Sequence, residues 1–205
     1  DMVFDNLDKL IDRAIIAQKR KESISLAYDG NIVDLWERLV ERKIKIDIGS
    51  DQTSLHNPWS GGYYPQGMNL KQAHDLMVSD PVAFKEKVQT TLIRHVNAIN
   101  KMCRQGMYFF DYGNAFLLES KRAGAKILNK EGDFKYQSYV QDIMGPICFD
   151  YGFGPFRWVC SSNNKQDLEI TDNIAKKVLK KLMADSPNEI KLQMNDNINW
   201  IHSAS

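Results

Sequence analysis

Helix-like and strand-like segments alternate along the first half of the sequence, with short polar turns between them. Apolar residues recur at helical spacing over Leu7–Ile15, and strand-like runs follow at 23–27 and 44–48. Because short connections between alternating helices and strands are typical of parallel sheets, the pattern predicts an α/β fold with parallel strands flanked by helices. A second helix is predicted between the two runs, with an apolar face of Val33, Trp36, Leu39 and Val40.

A longer helix and a third strand extend this pattern. Asp80 and Pro81 form a strong helix start, and Gly106 suits the left-handed cap at the end of the same helix. A buried strand is then predicted at 107–111. From about residue 133 the rhythm changes to glycine- and aromatic-rich sequence, followed by a charged amphipathic helix over Thr171–Met183. We therefore predict two domains, comprising residues 1–140 and 141–205.

Charge and composition exclude several classes of protein. The 205 residues carry 27 Lys+Arg against 26 Asp+Glu, a net charge of +1, so phosphate-driven binding of nucleic acid is not expected. The apolar runs are much shorter than the roughly 20 residues of a membrane-spanning helix. Cys103, Cys148 and Cys160 form no CxxC pair. They therefore predict neither a metal site nor a disulfide framework, and favour a reducing, cytoplasmic location.

Polar loops at the predicted strand ends hold the candidate binding residues, because ligands of such folds bind beyond the carboxyl ends of the strands. The segment Asp51–His56 offers amide, hydroxyl and imidazole groups that suit phosphate or ribose oxygens, or else cap the local backbone. Tyr63 and Tyr64 follow two glycines, and they either stack on a ligand ring or pin the loop as buried aromatics. Both alternatives remain open for both segments.

Other residue patterns are less specific. Arg157 stands between two aromatic residues, where it either stacks structurally or holds a carboxylate. His74 and His95 lie in ordinary amphipathic sequence and are predicted at the surface or its edge. The fingerprint GxGxxG is absent, since Pro155 follows Gly154. No complete set of nucleophile, base and orienting group is evident.

Several segments together resemble the urocanase family, in the same order over nearly the whole chain. They are the turn Gly30-Asn31, the run from Asp51 to Pro58 with Gly62-Tyr63-Tyr64-Pro65, the run Phe110-Asp111-Tyr112-Gly113-Asn114, and Gly154-Pro155-Phe156-Arg157-Trp158.

The resemblance implies a chemistry and a cofactor. Urocanases hydrate urocanate to imidazolonepropionate in histidine degradation, with tightly bound NAD+ as an electrophile and no net redox change. Residues 1–140 would be the later part of a Rossmann-like NAD-binding domain, and 141–205 the first stretch of the returning core domain that binds substrate. Members of the family are homodimers, so a homodimer is expected here as well.

The resemblance also assigns roles to residues. Arg157 would bind the carboxylate of urocanate. The family's Gly-rich loop is expected before Asp1 and its essential cysteine beyond Ser205, so the chain alone is expected to hold no catalytic residue and to be inactive. The competing hypothesis is a non-enzymatic α/β module for nucleotide binding or assembly. The predicted contacts to NAD+ are Asn31, Ile32, Gln52, Thr53, Ser54, Leu55, His56, Tyr63, Tyr64 and Tyr112.

Overall fold

Short parallel strands alternate with helices through the first two thirds of the chain. The computed structural model describes residues 2–151 and 160–204. The chain divides into two compact units, Asp1–Gln141 and Asp142–Ser205. The regular elements of the first unit are β1 (Met2–Phe4), α1 (Leu7–Arg20), β2 (Leu26–Tyr28), α2 (Ile32–Glu41), β3 (Ile48–Asp51), α3 (Leu70–Ser79), α4 (Pro81–Arg104), β4 (Tyr108–Asp111), α5 (Phe116–Arg122) and β5 (Gln137–Ser138).

The strands form two parallel groups. β1 pairs with β2, with Val3 opposite Ala27, and β4 lies between β3 and β5. Helices precede and follow these strands, as crossover connections between parallel strands require. The predicted α/β fold with parallel strands flanked by helices is therefore confirmed.

Helix α4 is the centre of the first unit's core. Asp80 caps it by accepting a hydrogen bond from the Ala83 amide at 3.0 Å, with Pro81 at its first position. Gly106 follows the helix with φ +104°, as the predicted left-handed end requires. The helix packs against α2, α3, α5, β4 and the loop after β3. Burial of each large apolar side chain contributes about 1.5–3 kcal/mol. Its fully buried apolar residues include Val88, Leu92, Val96 and Ile99.

Two predicted strands are displaced from those in the structure. The predicted run 23–27 gives way to β2 at Leu26–Tyr28. The prediction of a strand at 44–48 is wrong except for its last residue, because only Ile48–Asp51 lies in register beside β4. Ile44 and Ile46 instead pack against the core from the connection before the strand. Alternating apolar residues can bury one face without a neighbouring strand, and a strand also needs a hydrogen-bonding partner.

The second unit contains helices α6 (Gly145–Ile147), α7 (Lys165–Ala184) and α8 (Asn188–Ala204). Helix α7 begins six residues before the predicted Thr171, because Asn164 caps it by accepting a hydrogen bond from the Gln166 amide at 2.9 Å. The described residues also include a π-helical segment, Tyr139–Met144, and 3₁₀ turns at Pro58–Ser60 and Phe149–Tyr151. The core of this unit consists of Cys148, Leu179, Ile190, Met194, Ile198 and Ile201.

Two features are absent from the described residues. None of the helices in 2–151 and 160–204 has the length and hydrophobicity needed to cross a membrane. Within the same residues, no group of three or more His, Cys, Asp or Glu side chains is arranged to hold a metal ion.

Candidate functional site

The carboxyl ends of β3 and β4 each carry a buried aspartate. Asp51 and Asp111 are register partners, and each is only 3% exposed. One carboxylate oxygen of Asp51, Oδ1, accepts hydrogen bonds from the amide and hydroxyl of Thr53 at 3.1 and 2.7 Å. The side-chain amide of Asn114 donates to the same oxygen at 2.6 Å. A buried carboxylate needs such partners, so Asp51 stabilises both turns that follow the strands.

Asp111 organises the turn after β4 in the same way. Its carboxylate accepts hydrogen bonds from the amides of Gly113 and Leu117, the second at 3.1 Å. Gly113 has φ +91°, and a Cβ there would clash with Cγ2 of Val140, so only glycine suits the position. Asn114 also donates to the Thr53 carbonyl at 2.6 Å, which joins the turn after β4 to the loop after β3.

Tyr112, a predicted cofactor contact, lies on the surface of this turn. Its ring is parallel to that of Tyr139, with centroids 5.0 Å apart, and the side chain is 45% exposed. Its amide donates to the Asp51 carbonyl at 3.3 Å. The ring therefore has one face supported by protein and offers exposed aromatic surface to a ligand.

The turn between β2 and α2 is joined to the same loop through Asn31. Its side-chain oxygen caps α2 by accepting from the Val33 amide at 3.0 Å, and its side-chain nitrogen donates to the Tyr64 carbonyl at 3.1 Å. Asn31 is 8% exposed, and Ile32 is the partly buried first residue of the helix. The structure thus brings together two predicted contacts, Asn31 and Tyr64, that are far apart in the sequence.

The loop after β3 alternates between buried and exposed side chains. Leu55 is fully buried, whereas Gln52, Ser54 and His56 are exposed. A Cβ at Gly62 would clash with the Ser54 carbonyl oxygen, so the backbone of the loop folds closely on itself there. The exposed amide, hydroxyl and imidazole form one short stretch of hydrogen-bonding groups.

Hydrogen bonding at Thr53 and burial at Tyr63 favour one of the alternatives that the sequence left open at each position. Thr53 bonds to Asp51 within its own turn, so its side chain caps local structure. The Tyr63 ring is 5% exposed and belongs to the core, so it pins the loop, and a ligand contact at this position would come from the backbone. Tyr64 is partly buried, and burial raises the pKa of its hydroxyl, with a further contribution from Asp29 and Asp34.

His95 is a buried residue that the sequence analysis placed wrongly. It is 0% exposed on α4, because it shares the apolar face of Leu92 and Ile99 rather than the polar face. Its Nδ1 lies 3.3 Å from the Tyr63 hydroxyl, and its Nε2 lies 3.9 Å from the second carboxylate oxygen of Asp51. Burial lowers the pKa of His95 to about 4, against the smaller opposing effect of Asp51. His74 is exposed, as predicted.

The donors exposed around these turns suit an anionic ligand with ribose and ring groups. Gln52, Ser54 and His56 offer hydrogen bonds to phosphate or ribose oxygens. The amides at the start of α2 and the exposed face of Tyr112 lie at the neighbouring turns. NAD+ presents these same chemical groups, so the residues fit it. Arg157 and the surrounding Gly154–Trp158 motif lie outside the described residues.

Parallel strands flanked by helices, with polar turns at their carboxyl ends, are typical of a Rossmann-like α/β domain. Residues 1–143 match the family model described as the urocanase Rossmann-like domain, and residues 146–205 match the urocanase C-terminal domain. The chain belongs to the urocanase family.

Curated relatives extend this match over the whole chain. It is 52% identical to urocanate hydratase of Mus musculus and 50% identical to that of Homo sapiens, in each case over 99% of the chain. It is 53% identical to a probable urocanate hydratase of Dictyostelium discoideum over 98% of the chain. The matched region is 31% of the length of each of these relatives.

Proposed function

We propose that this chain is part of a urocanate hydratase and supplies the strand-end portion of its NAD+ site. The identity of about half the residues to urocanate hydratases over almost the whole chain supports this proposal. Because the chain spans only 31% of those relatives, the proposed activity is that of the longer protein. The chain's own contribution is to bind and orient the cofactor.

One structural observation carries the proposal. Three separate turns, after β2, β3 and β4, are joined by the hydrogen bonds of Asn31 to Tyr64 and of Asn114 to Asp51 and Thr53. These turns contain all the described residues that the family resemblance assigns to NAD+. A ligand bound there would contact residues from several elements whose relative positions are already held, which reduces the cost of ordering the site.

The exposed and buried residues have different roles in this proposal. Gln52, Ser54 and His56 donate to the phosphate and ribose oxygens, Ile32 offers its amide, and Tyr112 contacts a ring. Leu55 and Tyr63 anchor the loop from within the core, and Thr53 and Asn31 hold its backbone. When bound, NAD+ supplies a cationic pyridinium ring that acts as an electron sink for urocanate.

The residue proposed to bind the substrate lies outside the described part of the chain. We propose that Arg157 holds the carboxylate of urocanate, since a guanidinium forms paired hydrogen bonds with a carboxylate. We also propose a homodimer, as the family resemblance implies, and a cytoplasmic location, which the three cysteines without a CxxC pair favour.

Substitutions in the full-length protein test the proposal. We expect Gln52→Ala or Tyr112→Ala to reduce the NAD+ retained after gel filtration by about tenfold, because each removes about one good contact. Arg157→Ala should instead raise the KM for urocanate and leave the NAD+ content unchanged. The cofactor content is measured after denaturation of the purified protein, and the KM is measured from the loss of urocanate absorbance.

His74→Ala is the control, since this exposed residue of α3 belongs to none of the three turns. It should retain NAD+ like the wild type. Equal NAD+ content in the wild type, Gln52→Ala and Tyr112→Ala would contradict the cofactor assignment. A full-length protein that binds no NAD+ and consumes no urocanate would favour the non-enzymatic module instead.

A further inference from the structure

A row of buried polar side chains lies beneath the candidate cofactor loop. It runs from the Tyr63 hydroxyl through the His95 imidazole to the Asp51 carboxylate, with the distances of 3.3 and 3.9 Å given above. All three side chains are at most 5% exposed. Within residues 2–151 and 160–204, Nε2 of His95 has no hydrogen-bond partner. A buried polar atom without a hydrogen-bond partner costs folding free energy, so the position of this histidine in the core needs a physical explanation.

The neighbours of His95 determine its tautomer. A neutral imidazole carries its proton on only one nitrogen, and burial keeps this ring neutral near pH 7. Nε2 faces the carboxylate of Asp51, where a lone pair would be repelled and an N–H attracted. The proton therefore belongs on Nε2, and Nδ1 accepts a hydrogen bond from the Tyr63 hydroxyl. An approach of about 1 Å would bring Nε2 and the carboxylate to ordinary hydrogen-bonding distance.

We propose that His95 is a positioning residue for the cofactor loop, which it holds at both ends by linking the Tyr63 hydroxyl to the Asp51 carboxylate. The loop between these two residues contains Gln52, Ser54 and His56, the exposed donors of the site. This inference rests on the proposed function only for the identity of the ligand that the loop binds.

The contacts of Asp51 explain how one imidazole affects the whole site. Its other oxygen bonds to Thr53 and to Asn114 of the turn after β4, and its backbone carbonyl accepts from the amide of Tyr112. Orientation of this carboxylate by His95 therefore fixes the start of the loop and the position of the neighbouring turn. Phe116 packs against the imidazole in a T-shaped arrangement, with ring centroids 4.9 Å apart, and restricts its rotation.

Amide hydrogen exchange of the full-length protein, measured by mass spectrometry without added cofactor, tests this role. His95→Leu keeps apolar volume but removes both nitrogens, and we expect exchange over residues 52–63 to become about tenfold faster. His95→Gln places an amide near the position of Nε2, where it can donate to Asp51. It should restore exchange to within about threefold of the wild-type rate. NAD+ content should fall in the leucine variant and recover in the glutamine variant.

Val88→Ala is the matched control, because it removes buried volume from the same helix, at a 0% exposed position. It should leave exchange over residues 52–63 within about threefold of the wild-type rate. If it accelerates the loop as much as His95→Leu does, or if His95→Leu leaves the loop unchanged, the positioning role is overturned.

Tyr63→Phe keeps the proposal testable if His95→Leu does not fold. This variant removes only the hydroxyl that bonds to Nδ1, and faster exchange over residues 52–63 is expected, whereas wild-type exchange would overturn the proposal. Absence of NAD+ from the wild-type protein would contradict the proposed function alone, because the exchange measurement contains no cofactor.

Discussion

Buried polar side chains determine the local geometry of the candidate site. Asp51, Asp111 and Asn31 each use their side chains to fix the backbone of the turn that follows them. Such groups are stable in the core only when their hydrogen bonds are satisfied, so each one favours a single arrangement of its turn. The exposed residues that would contact a ligand are thereby held in place by buried residues that would not contact it.

The lowered pKa of His95 predicts a dependence of stability on pH. Its pKa of about 4 in the folded chain lies below the ordinary value of 6.5, so between these pH values the unfolded chain binds more protons. The contribution of the neutral imidazole to the free energy of unfolding is therefore fully present above pH 6.5 and is lost as the pH falls towards 4. Asp51 and Tyr63 are the titratable groups facing His95, and burial raises the pKa of Tyr63 well above its ordinary value, so it stays neutral here.

Thermal unfolding of the full-length protein between pH 7 and pH 4.5 measures this effect. Wild type should lose more stability over the range than His95→Gln, which has no imidazole to protonate. The exposed His74→Gln should follow the wild-type profile. Parallel profiles for wild type and His95→Gln would show that His95 is not kept neutral by the fold.

One of the residues that cap helices in the first unit also connects its helix to the site. Asn31 and Asn6 both cap helices, accepting from backbone amides at 3.0 Å, but only the Asn31 side chain also bonds to the loop after β3. The sequence predicted both helices well, because their apolar residues repeat at helical spacing. It misplaced the strand before Gly49, because the partner strand that decides its limits lies about 60 residues further along the chain.

These two caps form a matched pair for substitution. Asn31→Ala should cost about 1–2 kcal/mol, from the cap and from the bond to the Tyr64 carbonyl, and should also reduce NAD+ retention. Asn6→Ala should cost about 1 kcal/mol and leave NAD+ retention unchanged. Hydrogen exchange at the first turn of each helix measures the loss of the cap, and equal NAD+ content in both variants would contradict the link between α2 and the site.

At the scale of the whole molecule, each unit has its own buried cluster of apolar side chains. In the second unit, α7 and α8 contribute most of that cluster, including Leu179 and Met194. The change in sequence rhythm near residue 133 predicted two domains, and the two family models meet between residues 143 and 146. Domain assignment from sequence depends on such changes in pattern, since each unit must bury its own apolar face.

Substitutions within α8 test the importance of the second cluster. Met194 is 1% exposed, and Met194→Ala should destabilise the unit by about 2–4 kcal/mol through the cavity it leaves. Leu192→Ala, on the same helix but 68% exposed, should change stability by less than about 0.5 kcal/mol. Hydrogen exchange in α7 and α8 measures the effect of both substitutions on stability. Similar exchange in the two variants would show that Met194 is not part of the core.

The sequence by itself determined the α/β class, the main helices and the polar turns that form the candidate site. These features depend on local periodicity and turn chemistry, which neighbouring residues largely decide. The tertiary structure alone decided the limits of β3, the burial of Tyr63 and His95, and the bonds of Asn114 and Asn31 to the cofactor loop. Each of these depends on contacts between residues distant in sequence, and the same residue types would serve equally well on an exposed surface.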